Sequence, residues 1–346
     1  MDAEQLQRRR AERAHARHRR MIRRRVTAAV VAVVLVVVII VAVSALAGGS
    51  SGTGSTSGGS PSGGAPLTTG RHTTRHRTTT TAASSRSGRA PHGGDTAAAL
   101  GTATGPRGTT AVPVLMYHVI APPPAGAPFP GLYVPAPEFT AQMRALKAAG
   151  WTAVTLDQLR ANWTRGATLP AGKPVVITFD NGYHSQFASA LPVLRHMGWV
   201  ADENIQLTGL PPSQGGLTEP QVRAMIDAGW ELDTQGISHA DLIALDATAL
   251  HAQVVTARQI LRKRYGVPVD WFCYPSGHYD ATVIAAVRAA GYVGSTTVIP
   301  GWASPTNDPY RLPRLRVLGG TSPSALLAQI ATSRTASAPP SSYGGA

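Results

Sequence analysis

VVITFDNGY, residues 175–183, opens in apolar β-formers and breaks off in a carboxylate, a carboxamide and a glycine. Val175, Val176, Ile177 and Phe179 make a short buried strand. Asp180 leaves that strand at its carboxyl edge, and Gly182 supplies the sharp turn there. Alone, D-N-G is only a turn. In α/β proteins, however, the carboxyl ends of strands are where sites are assembled, so the flanking sequence has to decide.

Working outward, strand and helix patterns alternate through residues 111–332. Strands are predicted over 112–117, 152–156, 174–179, 231–234, 271–274 and 293–297, and amphipathic helices over 138–149, 184–197, 219–228, 247–265 and 281–290. One junction recurs: Ala149-Gly150-Trp151, Met197-Gly198-Trp199, Ala228-Gly229-Trp230 and Ala290-Gly291-Tyr292. Each reads as a glycine ending a helix, followed by an aromatic that packs back before the next strand. Those aromatics fall at the end of the strands opposite to Asp180, so they read as core and not as a sugar-stacking set. Repeated β/α units of this kind imply a parallel sheet, either a barrel or a doubly wound sheet.

The rest of the 346-residue chain differs in kind. Its net charge of +14 suggests a nucleic-acid binder until it is divided along the chain. Residues 1–47 carry +7, residues 48–110 carry +5, and the remainder only +2. The folding part is nearly neutral, which argues against nucleic acid as a partner. After the basic residues 1–25, the 22 residues Val26 to Ala47 hold no charge. At 1.5 Å per residue they cross about 30 Å of hydrocarbon, with the arginine flank kept in the cytoplasm. A signal peptide cut after Ala45-Leu46-Ala47 is the competing reading, but the apolar run is long for one. Either way the domain lies outside the cytoplasm, on a cell-membrane anchor or secreted. Residues 48–110 are Gly, Ser and Thr with little to bury, and read as a disordered linker. Residues 333–346 read as a loose tail. Cys273 is the only cysteine and allows no internal disulfide.

Further motifs sit at predicted strand ends. VPVLMYH ends in His118, WELDTQGISH leads to Gln235 and His239, WFCYPSG holds Tyr274 and Pro275, and DPYRLPRLRV contains Arg314. Together with TFDNGY, and in this order, they resemble the polysaccharide deacetylase family, the NodB-homology or carbohydrate esterase family 4 domain. The resemblance implies a distorted (β/α) barrel of the NodB-homology type. It also implies a divalent, zinc-like metal that assists removal of N-acetyl groups from amino-sugar polymers such as peptidoglycan or an exopolysaccharide. An amide carbonyl is a poor electrophile, so the metal polarises it and acidifies water, while a carboxylate takes the proton and an acid protonates the leaving amine. By resemblance Asp180 is the base. His118 is the acid, as in the branch that opens on Y-H, since no Leu-x-His stands near the C-terminus. Tyr117, Tyr274, Pro275 and Arg314 are expected along the substrate groove, although Arg314 also reads as a partner for a carboxylate on the next strand.

The departures fall on the metal. The family's T-F-D-D-G is T-F-D-N-G here, and its H-[ST]-x-x-H is Q-G-I-S-H, so the ligand positions hold Asn181, Gln235 and His239. Gly236 replaces a Ser or Thr, and Cys273 stands where many members have Arg. Two neutral carboxamides and one imidazole make a weak zinc site, and the metal is therefore doubtful. His184 and Asp233 are the nearby residues that could substitute as ligands. Two functions follow: a membrane-tethered deacetylase with an altered ligand set, or a carbohydrate-binding protein that keeps the fold without the reaction.

Overall fold

The computed structural model of the chain describes residues 105–208, 210 and 215–345. The expected anchor and linker lie outside the described residues, apart from the linker's last six positions. Among the described residues no helix is long and apolar enough to cross a membrane.

Nine strands form one sheet: β1 (Val112–Tyr117), β2 (Trp151–Val154), β3 (Lys173–Asn181), β4 (Asp202–Ile205), β5 (Glu231–Thr234), β6 (Trp271–Cys273), β7 (Gly294–Thr296), β8 (Trp302–Ala303) and β9 (Leu315–Arg316). The main order is β7-β6-β5-β4-β3-β1-β8, with β2 added to β3 and β9 to β1. Every pairing is parallel except β1 with β8. A single bridge from Thr296 to Leu312 links β7 to the segment that runs into β9, beside β1. The result is an α/β fold whose sheet curls into an open barrel.

The helices are α1 (Ala136–Ala148), α2 (Leu156–Arg165), α3 (Leu191–Met197), α4 (Glu219–Asp227), α5 (Ala247–His251), α6 (Ala257–Tyr265), α7 (Ala281–Ala289) and α8 (Pro323–Thr332). A π-helical stretch, Gln186–Ala190, leads into α3. Another, Ala252–Thr256, divides the single helix expected over 247–265 into α5 and α6.

Alternation along the strands sorts the side chains. Val175, Ile177 and Phe179 face outward into a core with Phe139, Met143 and Leu146 of α1, Leu191 and Leu194 of α3, and Leu326 and Ile330 of α8. Val176 faces the concave side, where Leu156, Leu159 and Trp163 of α2 pack with Val112, Val114 and Trp271. The junction glycines 150, 198, 229 and 291 all have positive φ. The aromatics after them are buried, and Trp230 stacks on Phe179 with ring centroids 5.1 Å apart. Each such buried aromatic contributes about 2–3 kcal/mol by its area, so these residues hold the sheet to its helices.

β4 reads Asp-Glu-Asn-Ile and carries none of the apolar pattern by which strands are found, yet all four residues are buried. Two of its three polar side chains are partly paired, while both Glu203 oxygens are buried without a partner among the described residues. Asp202 accepts a hydrogen bond from the Leu156 N–H, and Asn204 donates to Asp180. Where a loose tail is expected, Tyr343 pairs with Tyr279 and the Tyr279 hydroxyl donates to the Pro340 carbonyl. These bonds hold the end of the chain beside the Pro275–Gly277 turn.

Candidate functional site

Asp180 is the fixed point. It sits on the concave face near the end of β3 with only 2% of its surface exposed. Arg314, fully buried two strands away, grips it with two parallel hydrogen bonds, Nη1 to Oδ1 at 2.7 Å and Nη2 to Oδ2 at 2.8 Å. Asn204 Nδ2 adds a third to Oδ1 at 2.9 Å, and the Cys273 thiol lies 3.5 Å from Oδ2. Burial pushes the Asp180 carboxyl up, but the Arg314 charge and hydrogen bonds, with His118 and Asn204, outweigh it and hold the pKa at about 2. Burial raises the Cys273 thiol far above its ordinary value, so it remains a thiol.

His118 follows β1 and brings Nε2 to 3.9 Å from Asp180 Oδ2. That is too long for a hydrogen bond, and its buried Nδ1 has no partner among the described residues. Burial lowers the imidazole to about 4, against a partial pull upward from Asp180. At neutral pH the pair is a carboxylate beside a neutral imidazole.

The positions expected to hold metal are arranged otherwise. Asn181 has a φ of 82°, a left-handed conformation that asparagine tolerates. Its Nδ2 donates to Gln206 Oε1 at 2.7 Å, and Gln206 Nε2 donates on to the Thr208 carbonyl. Gln235 is buried, with an Oε1 that no donor among the described residues reaches. His239 is exposed, and its Nε2 takes the Ser276 N–H at 3.4 Å. One imidazole nitrogen already engaged and two carboxamides, one of them tied into a hydrogen-bond chain, do not fit a zinc-like ion. The metal site of this fold is degenerate in this chain. The Gly236 backbone explains a further departure: at φ 90°, a Cβ there would come within 2.9 Å of Gln253 Oε1.

Several expectations need correction. Tyr117 faces outward, not into the groove, because it is the strand neighbour of His118. Its hydroxyl donates to Gln142 Oε1 and its ring packs against Phe139. Tyr274 likewise turns outward beside Cys273, donates to the Tyr310 carbonyl, and packs on Phe272 and Tyr279. Pro275 is buried at the start of a tight turn. Of the two readings of Arg314, carboxylate partner and groove residue, the first holds and the second does not: all its donors are committed within the protein, two of them to Asp180. His184 is exposed and bonds Gln221. Asp233 groups with Asp202 and Glu231 toward the start of β4 and β5, the one cluster of three such side chains among the described residues that could reach a common ion. Sequence reading also passed over Asn204, which only the hidden strand β4 brings to Asp180, and Tyr183, whose phenol is raised by burial, with Tyr133 and Asp180 adding to the effect.

Known proteins resemble this chain in sequence and fold. The family model described as polysaccharide deacetylase matches residues 169–295. YxkH of Bacillus subtilis (strain 168), provisionally named a polysaccharide deacetylase, is 31% identical over 220 residues, covering 63% of this chain and 76% of YxkH. Among solved structures, the Streptococcus pyogenes deacetylase PplD in complex with acetate matches with a TM-score of 0.59 at 26% identity, over 64% of this chain and 99% of that one. BC0361, a polysaccharide deacetylase from Bacillus cereus, matches with a TM-score of 0.57 at 25% identity, over 64% of this chain and 69% of its own.

Proposed function

Because this chain belongs to the polysaccharide deacetylase family, we propose that it is a carbohydrate-binding protein that holds N-acetylated polysaccharide in the family's groove without deacetylating it. The family's reaction needs a polarised amide carbonyl, an activated water and a free base. The observation that carries the reading is the pair Asn181 and Gln235, which replaces two good ligands with carboxamides, one of them bonded to Gln206. Asp180 adds to it, because a carboxylate with both oxygens bonded to one guanidinium and a pKa of about 2 is a weak base. The exposed imidazole of His239, four residues after the buried Gln235, remains able to hydrogen-bond a sugar hydroxyl.

The hydrolase reading rests on the survival of Asp180 and His118 at 3.9 Å. The full-length protein, incubated with chito-oligosaccharide or peptidoglycan and with zinc, cobalt or nickel added, separates the two. We expect retention of the glycan and no released acetate; acetate release by the natural protein would end the binding reading. Asn181→Asp with Gln235→His should gain metal binding, while the Arg314 grip on Asp180 still limits deacetylation.

The proposal includes location: residues 26–47 anchor the chain in the cell membrane and residues 48–110 carry the domain outward, with secretion after Ala47 as the competing outcome. Protease added to intact cells should remove the domain; full protection would place it inside.

A further inference from the structure

A second polar cluster lies one layer below Asp180 on the concave face. Asp202 begins β4, and Glu231 and Asp233 stand on β5, where Asp202 pairs in register with Glu231 and Asn204 with Asp233. Each carboxylate has one oxygen engaged by a backbone N–H at 2.9 Å: Asp202 Oδ1 by Leu156, Glu231 Oε2 by Asp157 and Asp233 Oδ1 by Trp271. The other oxygen of each is buried and has no donor among the described residues. One oxygen from each of the three lies within 4.8 Å of the others. No basic side chain pairs with any of them among the described residues.

An independent group points to the same place. Asn204 is fully buried, and its Nδ2 is turned to Asp180 on β3. Its Oδ1 therefore faces away from β3, on the side where Asp233 is its register partner, and that oxygen too is without a donor. Four buried oxygens, three of them anionic when ionised, are left without donors on these two neighbouring strands.

Two occupants could satisfy such a set, protons or a cation. Burial, reinforced by the neighbouring acids, raises all three carboxyls well above their ordinary values, so without a cation they hold protons. An all-oxygen, carboxylate-rich set with no imidazole or thiol selects a hard divalent ion. A dedicated all-protein set of this kind suits calcium better than magnesium, which keeps several waters and is held by one or two carboxylates.

We propose that Asp202, Glu231, Asp233 and Asn204 form a structural calcium site under the groove, distinct from the family's metal position. The ion ties β4 and β5 to the start of α2 and, through Asn204, steadies Asp180. This does not depend on whether the groove binds or cleaves glycan.

The test is direct titration of full-length protein, first stripped with EDTA, with calcium and then with manganese and magnesium. One calcium per chain is expected, with a melting temperature raised by roughly 5–10 °C once calcium exceeds its dissociation constant a hundredfold. Asp202→Asn with Glu231→Gln, each isosteric and able to keep its backbone hydrogen bond, should weaken binding at least roughly tenfold. Asn181→Ala with His239→Ala should leave it unchanged. If the natural protein binds neither calcium nor manganese up to about 10 mM, beyond the range of extracellular calcium modules, and melts at the same temperature in EDTA, protons occupy the cluster and the proposal falls. It also falls if the change at 181 and 239 abolishes binding while the change at 202 and 231 does not.

Discussion

Arg314 donates five hydrogen bonds, to the Thr297 carbonyl, Thr178 Oγ1, both oxygens of Asp180 and the Cys273 sulfur. A guanidinium so placed completes the inner face of the sheet and gives a buried carboxylate its counter-charge. Removing one member of such a pair leaves the other buried and uncompensated, so Arg314→Met should cost roughly 3–5 kcal/mol in denaturant unfolding. Arg314→Lys keeps the charge and loses the fork, and should fall between. The same contact sets an acid limit. The Asp180 pKa is depressed from 3.8 to about 2, so the pair's stabilisation is full above pH 4 and lost as pH falls through 2. It amounts to on the order of 2 kcal/mol. Asp180→Asn should show little of this acid loss in unfolding measured from pH 5 to pH 2.

At the scale of elements, α2 and β4 explain what sequence could and could not tell. α2 opens with a capping box in which Thr155 Oγ1 takes the Gln158 N–H and the Gln158 side chain takes the Thr155 N–H. Thr155→Ala should cost about 1 kcal/mol in thermal or urea unfolding. That T-x-x-Q signature is visible in the sequence, but the apolar run of β2 before it draws residues 155 and 156 into the strand. β4 has no such signal: Asp-Glu-Asn-Ile becomes a strand because its backbone pairs with β3 and β5, with single side-chain bonds between Asp202 and α2 and between Asn204 and Asp180. The β1 and β5 strands and the glycine-aromatic junctions were legible because apolar alternation and helix-ending glycines are local. Asp180, His118 and Asn181 were legible as residues. Their partners Asn204 and Gln206 were not, because strand order alone brings them together, whereas Arg314 was readable as a carboxylate's partner. Tyr117 and Tyr274 were misplaced for the simplest reason: adjacent strand residues face opposite ways.

For the whole molecule, a curled sheet with polar groups on its concave face makes stability sensitive to pH. His118 is buried as the neutral imidazole, with its pKa lowered from 6.5 to about 4. Between those values the unfolded chain binds a proton that the folded one refuses, so stability is full above pH 6.5 and falls as pH drops toward 4. The loss is on the order of 3 kcal/mol, and His118→Gln should flatten that part of the unfolding profile. The larger consequence concerns the reaction. A family fold with its base gripped by Arg314 and its ligand positions filled by Asn181 and Gln235 holds a weak ligand set where the family's metal belongs, and the proposed function rests on that weakness. Native mass spectrometry of the full-length protein with zinc and a chito-oligosaccharide reads metal binding and deacetylation at once. The account predicts a complex with the oligosaccharide carrying every acetyl group and no bound zinc; stoichiometric zinc together with oligosaccharide that has lost acetyl groups would contradict it.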